Sequence, residues 1–178
     1  MNFAERVVAL AGALHGLPHA FGGALAFAYY GEPRTTVDVD INVFVAPARF
    51  DEVAARLDPL GVAITDSAKA LVERDGQARL FWDTTPVDLF FAYDRLHDAF
   101  AKQAKVVPFA DIRIPILSAS HLVVCKTLFN RGKDWVDIQS MLEYGTAIDA
   151  AEVLRWVGRV AGDADPRYDR IATLLTTF

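Results

Sequence analysis

The chain has 178 residues, 53% apolar and 23% charged, which excludes a disordered or low-complexity chain and allows a sizeable buried core. Its 18 Lys and Arg against 23 Asp and Glu give a net charge of −5, which argues against a surface coated by nucleic acid, although a local basic groove is compatible with it. The single cysteine excludes an internal disulfide and a cysteine zinc cluster, and no apolar run reaches the roughly 18–20 residues of a membrane span.

Residues 7–14 have the length of a signal-peptide core, but Glu5 and Arg6 cancel each other ahead of them. Phe3, Val7, Leu10 and Leu14 recur at helical spacing, so the pattern predicts an amphipathic helix stopped at Gly16-Leu17-Pro18, in a soluble, cytoplasmic protein without a membrane anchor. His19-Ala20-Phe21 reads as a short buried strand entering Gly22-Gly23, and residues 24–30 as a short helix ended by Gly31-Glu32-Pro33. Residues 37–45 alternate strictly and predict the clearest strand, with Val37, Val39, Ile41, Val43 and Val45 on one face and Asp38, Asp40, Asn42 and Phe44 on the other. A helix is expected over 47–57. Asp75-Gly76 between 71–74 and 78–82 reads as a two-residue hairpin turn. A further strand over 87–92 carries Asp88, and residues 94–103 read as helical. Short strands follow at 105–109 and 112–116.

From Ser118 the period becomes helical. Ser118 or Ser120 caps a helix through Asn130, Gly132 separates it from a helix over 134–144, and a last helix over 150–160 leads into a tail. The sum is an α/β (α+β) fold: a small mixed sheet flanked by helices over residues 1–117, with a helical C-terminal part over 118–178.

Asp38 and Asp40, two apart on a strand, project from one face, where aspartate is rare and like charges repel. An exposed polar face is one reading; a hard divalent cation, which turns the repulsion into binding energy, is the other. Asp88 is a lone acid in an apolar strand, costly if buried without a partner, though it could equally face solvent at the strand end. Gly22-Gly23 at a strand-to-helix junction leaves amides for a phosphate, a weak signal alone. Lys126 lies near the apolar stripe of Leu122, Cys125 and Phe129, and a snorkelling surface lysine is its ordinary reading. Cys125 reads as helix core, and His15, His19, His97 and His121 lack metal-ligand spacing and read as structural.

In order, Gly22-Gly23, then Arg34, Thr36, Asp38 and Asp40, then Asp88, resemble the nucleotidyltransferase superfamily that includes DNA polymerase β. Within it the chain is most similar to AbiEii-type nucleotidyltransferases, whose first motif reads Arg-x-Thr-x-Asp-x-Asp. The run from Lys126 through Arg131, Lys133 and Asp134 to Asp137 resembles that family's later signature of lysine, basic residues and Asp-x-x-Asp, with Asp134 more simply a helix cap. The resemblance implies transfer of a nucleoside monophosphate from an NTP such as ATP to an acceptor hydroxyl. It assigns two Mg2+ (or Mn2+) ions to Asp38, Asp40 and Asp88, and the phosphates to Gly22, Gly23, Arg34, Thr36 and Lys126. Asp137 becomes a further active-site acid. An RNA end such as a tRNA acceptor stem, and an antitoxin protein as partner, are implied by the toxin members. A small-molecule acceptor, as in antibiotic nucleotidyltransferases, and a non-catalytic nucleotide-binding protein are the alternatives.

Overall fold

Period-two patterning over β2 (Val39–Val43) and β5 (Thr85–Phe91) builds the centre of a seven-stranded mixed sheet. The computed structural model describes all residues, 1–178. The remaining strands are β1 (His19–Phe21), β3 (Val62–Ala63), β4 (Gln77–Trp82), β6 (Lys105–Phe109) and β7 (Ile112–Ile116), in the order β3-β4-β5-β2-β1-β7-β6. Only the β2–β5 and β1–β7 pairs are parallel. The helices are α1 (Phe3–Ala13), α2 (Gly23–Phe27), α3 (Phe50–Leu57), α4 (Asp66–Asp75), α5 (Arg95–Gln103), α6 (Ala119–Phe129), α7 (Gly132–Glu143), α8 (Ala150–Ala161) and α9 (Pro166–Thr177). None is long and apolar enough to cross a membrane.

The chain divides into two units, one of Met1–Leu25 with Thr35–Leu117 and the other of Ala26–Arg34 with Ser118–Phe178. The first holds the whole sheet. One sheet face carries the buried side chains of Val39, Ile41, Val43, Leu80, Val87, Leu89 and Phe91. Phe50 of α3 meets Phe91 there at a ring separation of 6.1 Å. Fully burying each such side chain contributes on the order of 1.5–3 kcal/mol, so this face anchors the strands and, through them, whatever the opposite face presents. The second unit packs α6 against α7, α8 and α9, with Leu122, Val123, Ile138, Val153, Val157 and Ile171 in its core.

Three local expectations are corrected. Asp75-Gly76 is not a hairpin turn: Thr65 accepts a hydrogen bond from Ala68 N, α4 buries Ala68 and Val72 four apart, and Gly76 ends it in the left-handed region at φ 71°. The hairpin turn lies instead between β4 and β5, at Asp83-Thr84. The strand expected over 37–45 is shorter, because Val37 is exposed and has no core to enter. The tail after 160 holds a full helix, α9, with Asp165 as N-cap and Pro166 in its first turn.

Candidate active site

Strand register gathers the acids. Asp40 pairs with Asp88 across the parallel β2–β5 ladder, so the two side chains stand on the same face, opposite the apolar one. Gly22, just past β1, donates its amide to Asp40 O at 2.9 Å, and Arg79 of β4 is the register partner of Asp88. Glycine, two acids and an arginine therefore form one row across four neighbouring strands. Asp38 precedes Asp40 by two residues and reaches the same group. Thr36 braces its backbone: the hydroxyl accepts from Asp38 N at 3.3 Å and donates to Asp38 O at 3.4 Å.

Gly23 comes close to the row. A Cβ at Gly23 would lie 1.7 Å from Asp40 Oδ2, and its φ of 53° is left-handed. Any other side chain meets both the carboxylate and backbone strain of roughly 1–2 kcal/mol. Gly23→Ala is accordingly expected to lower the melting temperature, because Asp40 or the turn must give way; an unchanged melting temperature would show that the close approach is dispensable.

The donor chemistry of Asp38, Asp40 and Asp88 fits a hard cation, and a cation does lie among them. Arg79 Nε and Nη2 each donate to Asp88 at 2.7 Å, and Nη2 is 3.6 Å from Asp38 Oδ2. Hydrogen bonds to Asp88, then the charges of Asp88, Asp38 and Asp40, push the guanidinium pKa above its ordinary value against the effect of burial. Asp88 and Asp38 are turned to Arg79 while Asp40 Oδ2 lies beside Gly23, and no three acidic, histidine or cysteine side chains have metal-holding spacing as they stand. Arg79 is the residue that sequence reasoning missed. The alternation of Gln77, Arg79 and Phe81 against Ala78, Leu80 and Trp82 marks its face, but only register tells which acid it meets.

The second unit organises the other candidates around Asp137. Arg34 Nε and Nη2 donate to its two oxygens at 2.9 Å each, and Lys126 Nζ donates to Oδ2 at 2.6 Å. Lys126 does not snorkel; it is 3% exposed, 5.4 Å from the Phe27 ring centroid and 3.9 Å from Asp134 Oδ1. α6 turns Lys126 inward beside its apolar stripe, and Asp137 on α7 is buried to receive it. Asp134, fully buried, accepts from the backbone and guanidinium of Arg131, which is its expected capping role extended by an ion pair. Cys125 is half-buried on α6, and His121 is buried against Glu152 at 3.2 Å.

Burial pushes the Asp137 carboxyl up, but hydrogen bonds from Arg34 and Lys126, with their positive charges, outweigh it and hold its pKa below the ordinary value. A carboxyl lowered on folding contributes stability that is complete above its unfolded pKa of about 3.9 and is lost as pH falls through the folded value. Wild-type melting temperature should therefore drop steeply below about pH 4, while Asp137→Asn, less stable at neutral pH, should show a flatter acid limb. Parallel acid limbs in the two proteins would contradict this account of Asp137.

A family model for the nucleotidyl transferase AbiEii toxin of type IV toxin–antitoxin systems matches residues 8–176. No curated protein matches by sequence. Among solved structures, the solution structure of the antibiotic-resistance factor ANT(2'')-Ia aligns with TM-score 0.65 and 13% identity, covering 98% of this chain and 97% of that one. Its crystal structure with adenylyl-2''-tobramycin aligns with TM-score 0.60 and 14% identity over 91% and 98% of the two chains. An antigenic nucleotidyltransferase-like protein from Paracoccidioides brasiliensis aligns with TM-score 0.51 and 17% identity over 96% and 92%. At these identities the structures speak for the fold, while the family match spans nearly the whole sequence. The chain belongs to the AbiEii nucleotidyl transferase toxin family.

Proposed function

We propose that the protein transfers a nucleoside monophosphate from an NTP to an acceptor hydroxyl, with an RNA end such as a tRNA acceptor stem as the acceptor. The observation that carries the reading is the register row, which stacks Asp40 against Asp88 on a half-buried sheet face beside Gly22 and Gly23. Arg79 answers part of the repulsion between these carboxylates, and an acid cluster of this kind suits a cationic ligand as well.

Asp38, Asp40 and Asp88 would hold Mg2+ or Mn2+, two ions in the family's pattern, and such ions supply charge neutralisation at the phosphates and a lowered pKa at the acceptor hydroxyl. Asp88, once released from Arg79, would take the acceptor hydroxyl's proton as the acceptor oxygen bonds to the α-phosphorus and the bond from that phosphorus to the pyrophosphate oxygen breaks. The Gly22 amide is already donated to Asp40 O, and the Asp40 carboxylate fills the space beside Gly23, so only the backbone from Gly23 onward, at the start of α2, would be left to meet the phosphates. Thr36 keeps Asp38 in place through its backbone. Arg34 and Lys126 would take the phosphate-neutralising part the family resemblance gives them, with Asp137 holding the two cations side by side. Membership of a type IV toxin family supports an antitoxin protein as partner.

A second acceptor class is favoured by one observation. The net charge of −5 disfavours a polyanionic acceptor and suits a cationic small molecule, the kind of compound whose adenylylated form was crystallised with ANT(2'')-Ia. Incubation with α-phosphate-labelled NTPs, magnesium and either total RNA or an aminoglycoside separates the readings. Label is expected in RNA. Label only in the aminoglycoside would favour the small-molecule enzyme, and retained NTP binding with no transfer to either would indicate a non-catalytic nucleotide-binding protein.

A further inference from the structure

We propose that Arg79 is a built-in counter-ion that holds Asp88 and Asp38 in the absence of a divalent cation and competes with that cation for them, so that it sets the metal affinity of the site. The inference rests on the proposed metal-holding role of Asp38, Asp40 and Asp88.

Three observations lead to it. The first is placement: Arg79 is the register partner of Asp88, which is itself the partner of Asp40, so the ladder sets the base of the Arg79 side chain in the acid row. The second is geometry. Both Asp88 oxygens receive a hydrogen bond at 2.7 Å, and the same Nη2 lies 3.6 Å from Asp38 Oδ2. A two-pronged arginine contact of this kind uses the carboxylate edge that a bidentate or bridging cation ligand needs. The third is exposure. The Arg79 side chain is 50% exposed, whereas that of Asp88 is 15% exposed. Arg79 can swing into water without leaving a hole in the core; Asp88 stays where the strand puts it.

These facts also reconcile the fold with its acids. Three carboxylates on one sheet face repel one another, and Arg79 offsets that repulsion until another cation does so. Arg79 is thus a positioning residue: it orients Asp88 and sets how tightly metal must bind to capture it. A purely structural arginine would make a different prediction, since its loss would lower stability and leave metal affinity unchanged or weaker.

The test is a titration of the metal-free protein with Mn2+, followed by calorimetry and by the Mn2+ spin-resonance signal, on the wild type, Arg79→Gln, Arg79→Lys and Asp38→Asn/Asp40→Asn. Arg79→Gln is expected to melt at a lower temperature without metal yet to bind Mn2+ about tenfold more tightly, the change expected when a competing ion pair of roughly 1.4 kcal/mol is removed. Arg79→Lys keeps the charge but not the fork and should fall between. Should Arg79→Gln fail to fold, the lysine variant carries the same comparison. Mn2+ binding no tighter than wild type in the folded variants would overturn the competition while leaving the metal site intact. Wild-type binding that is absent, or that survives Asp38→Asn/Asp40→Asn, would overturn the metal site itself and this inference with it.

Discussion

Lys126→Ala is expected to destabilise the protein by about 3 kcal/mol, the lower end of the cost of breaking a buried ion pair by removing one partner. The lower end applies because Asp137 keeps both hydrogen bonds from Arg34 when Lys126 is gone. An exposed lysine on a helix costs under about 1 kcal/mol, so the size of the loss distinguishes the buried position from the surface one that its sequence neighbourhood implied. Urea unfolding checks this. A double variant, Lys126→Met with Asp137→Leu, should recover part of the loss, because two apolar side chains replace two charges and the side chain of Arg34, 35% exposed, can turn to water. A Lys126→Ala loss below about 1 kcal/mol would contradict the buried pair.

The largest effect on activity is expected from Asp40→Asn. Asparagine keeps the volume, so β2 and its register should survive, while the charge facing Asp88 and Gly23 disappears. If Asp40 holds a cation as proposed, several kcal/mol of transition-state stabilisation would depend on that charge, and at about 1.4 kcal/mol per factor of ten the rate should fall about 10³-fold. Stability should move the other way or not at all, since one member of a like-charged cross-strand pair has been neutralised. A melting curve beside a transfer assay separates the two effects. A rate loss matched by a comparable loss of folded protein would mean that Asp40 acts through the fold alone.

Much of the site was legible because strand alternation and motif spacing are local. Asp38 and Asp40 share a face by period two, and the glycine pair, the Arg-to-Asp run and the later acid occur in an order that a single strand–helix–strand reading preserves. What was not legible depends on distant pairing. Asp88 alone could face solvent or core, and only its register with Asp40 decides. Arg79 looks like any polar residue of an alternating strand until β4 is laid against β5. For Lys126 the choice between a snorkelling surface lysine and a site residue stayed open for the same reason, since its burial depends on Asp137, eleven positions on and on another helix. The Asp75-Gly76 error has a different cause: this dipeptide serves equally as a hairpin turn and as a helix C-cap, and the helical spacing of Ala68 and Val72 before it was the deciding signal.

Asp38, Asp40 and Asp88, beside the Gly22-Gly23 pair, are proposed to form a nucleotide site completed by a divalent cation. Calorimetric titration of each NTP into wild type and Asp38→Asn/Asp40→Asn, with and without magnesium, tests it most directly. The account predicts NTP binding by the wild type only with magnesium and none by the double variant. Equal NTP binding by the two proteins, or wild-type binding indifferent to magnesium, would contradict it.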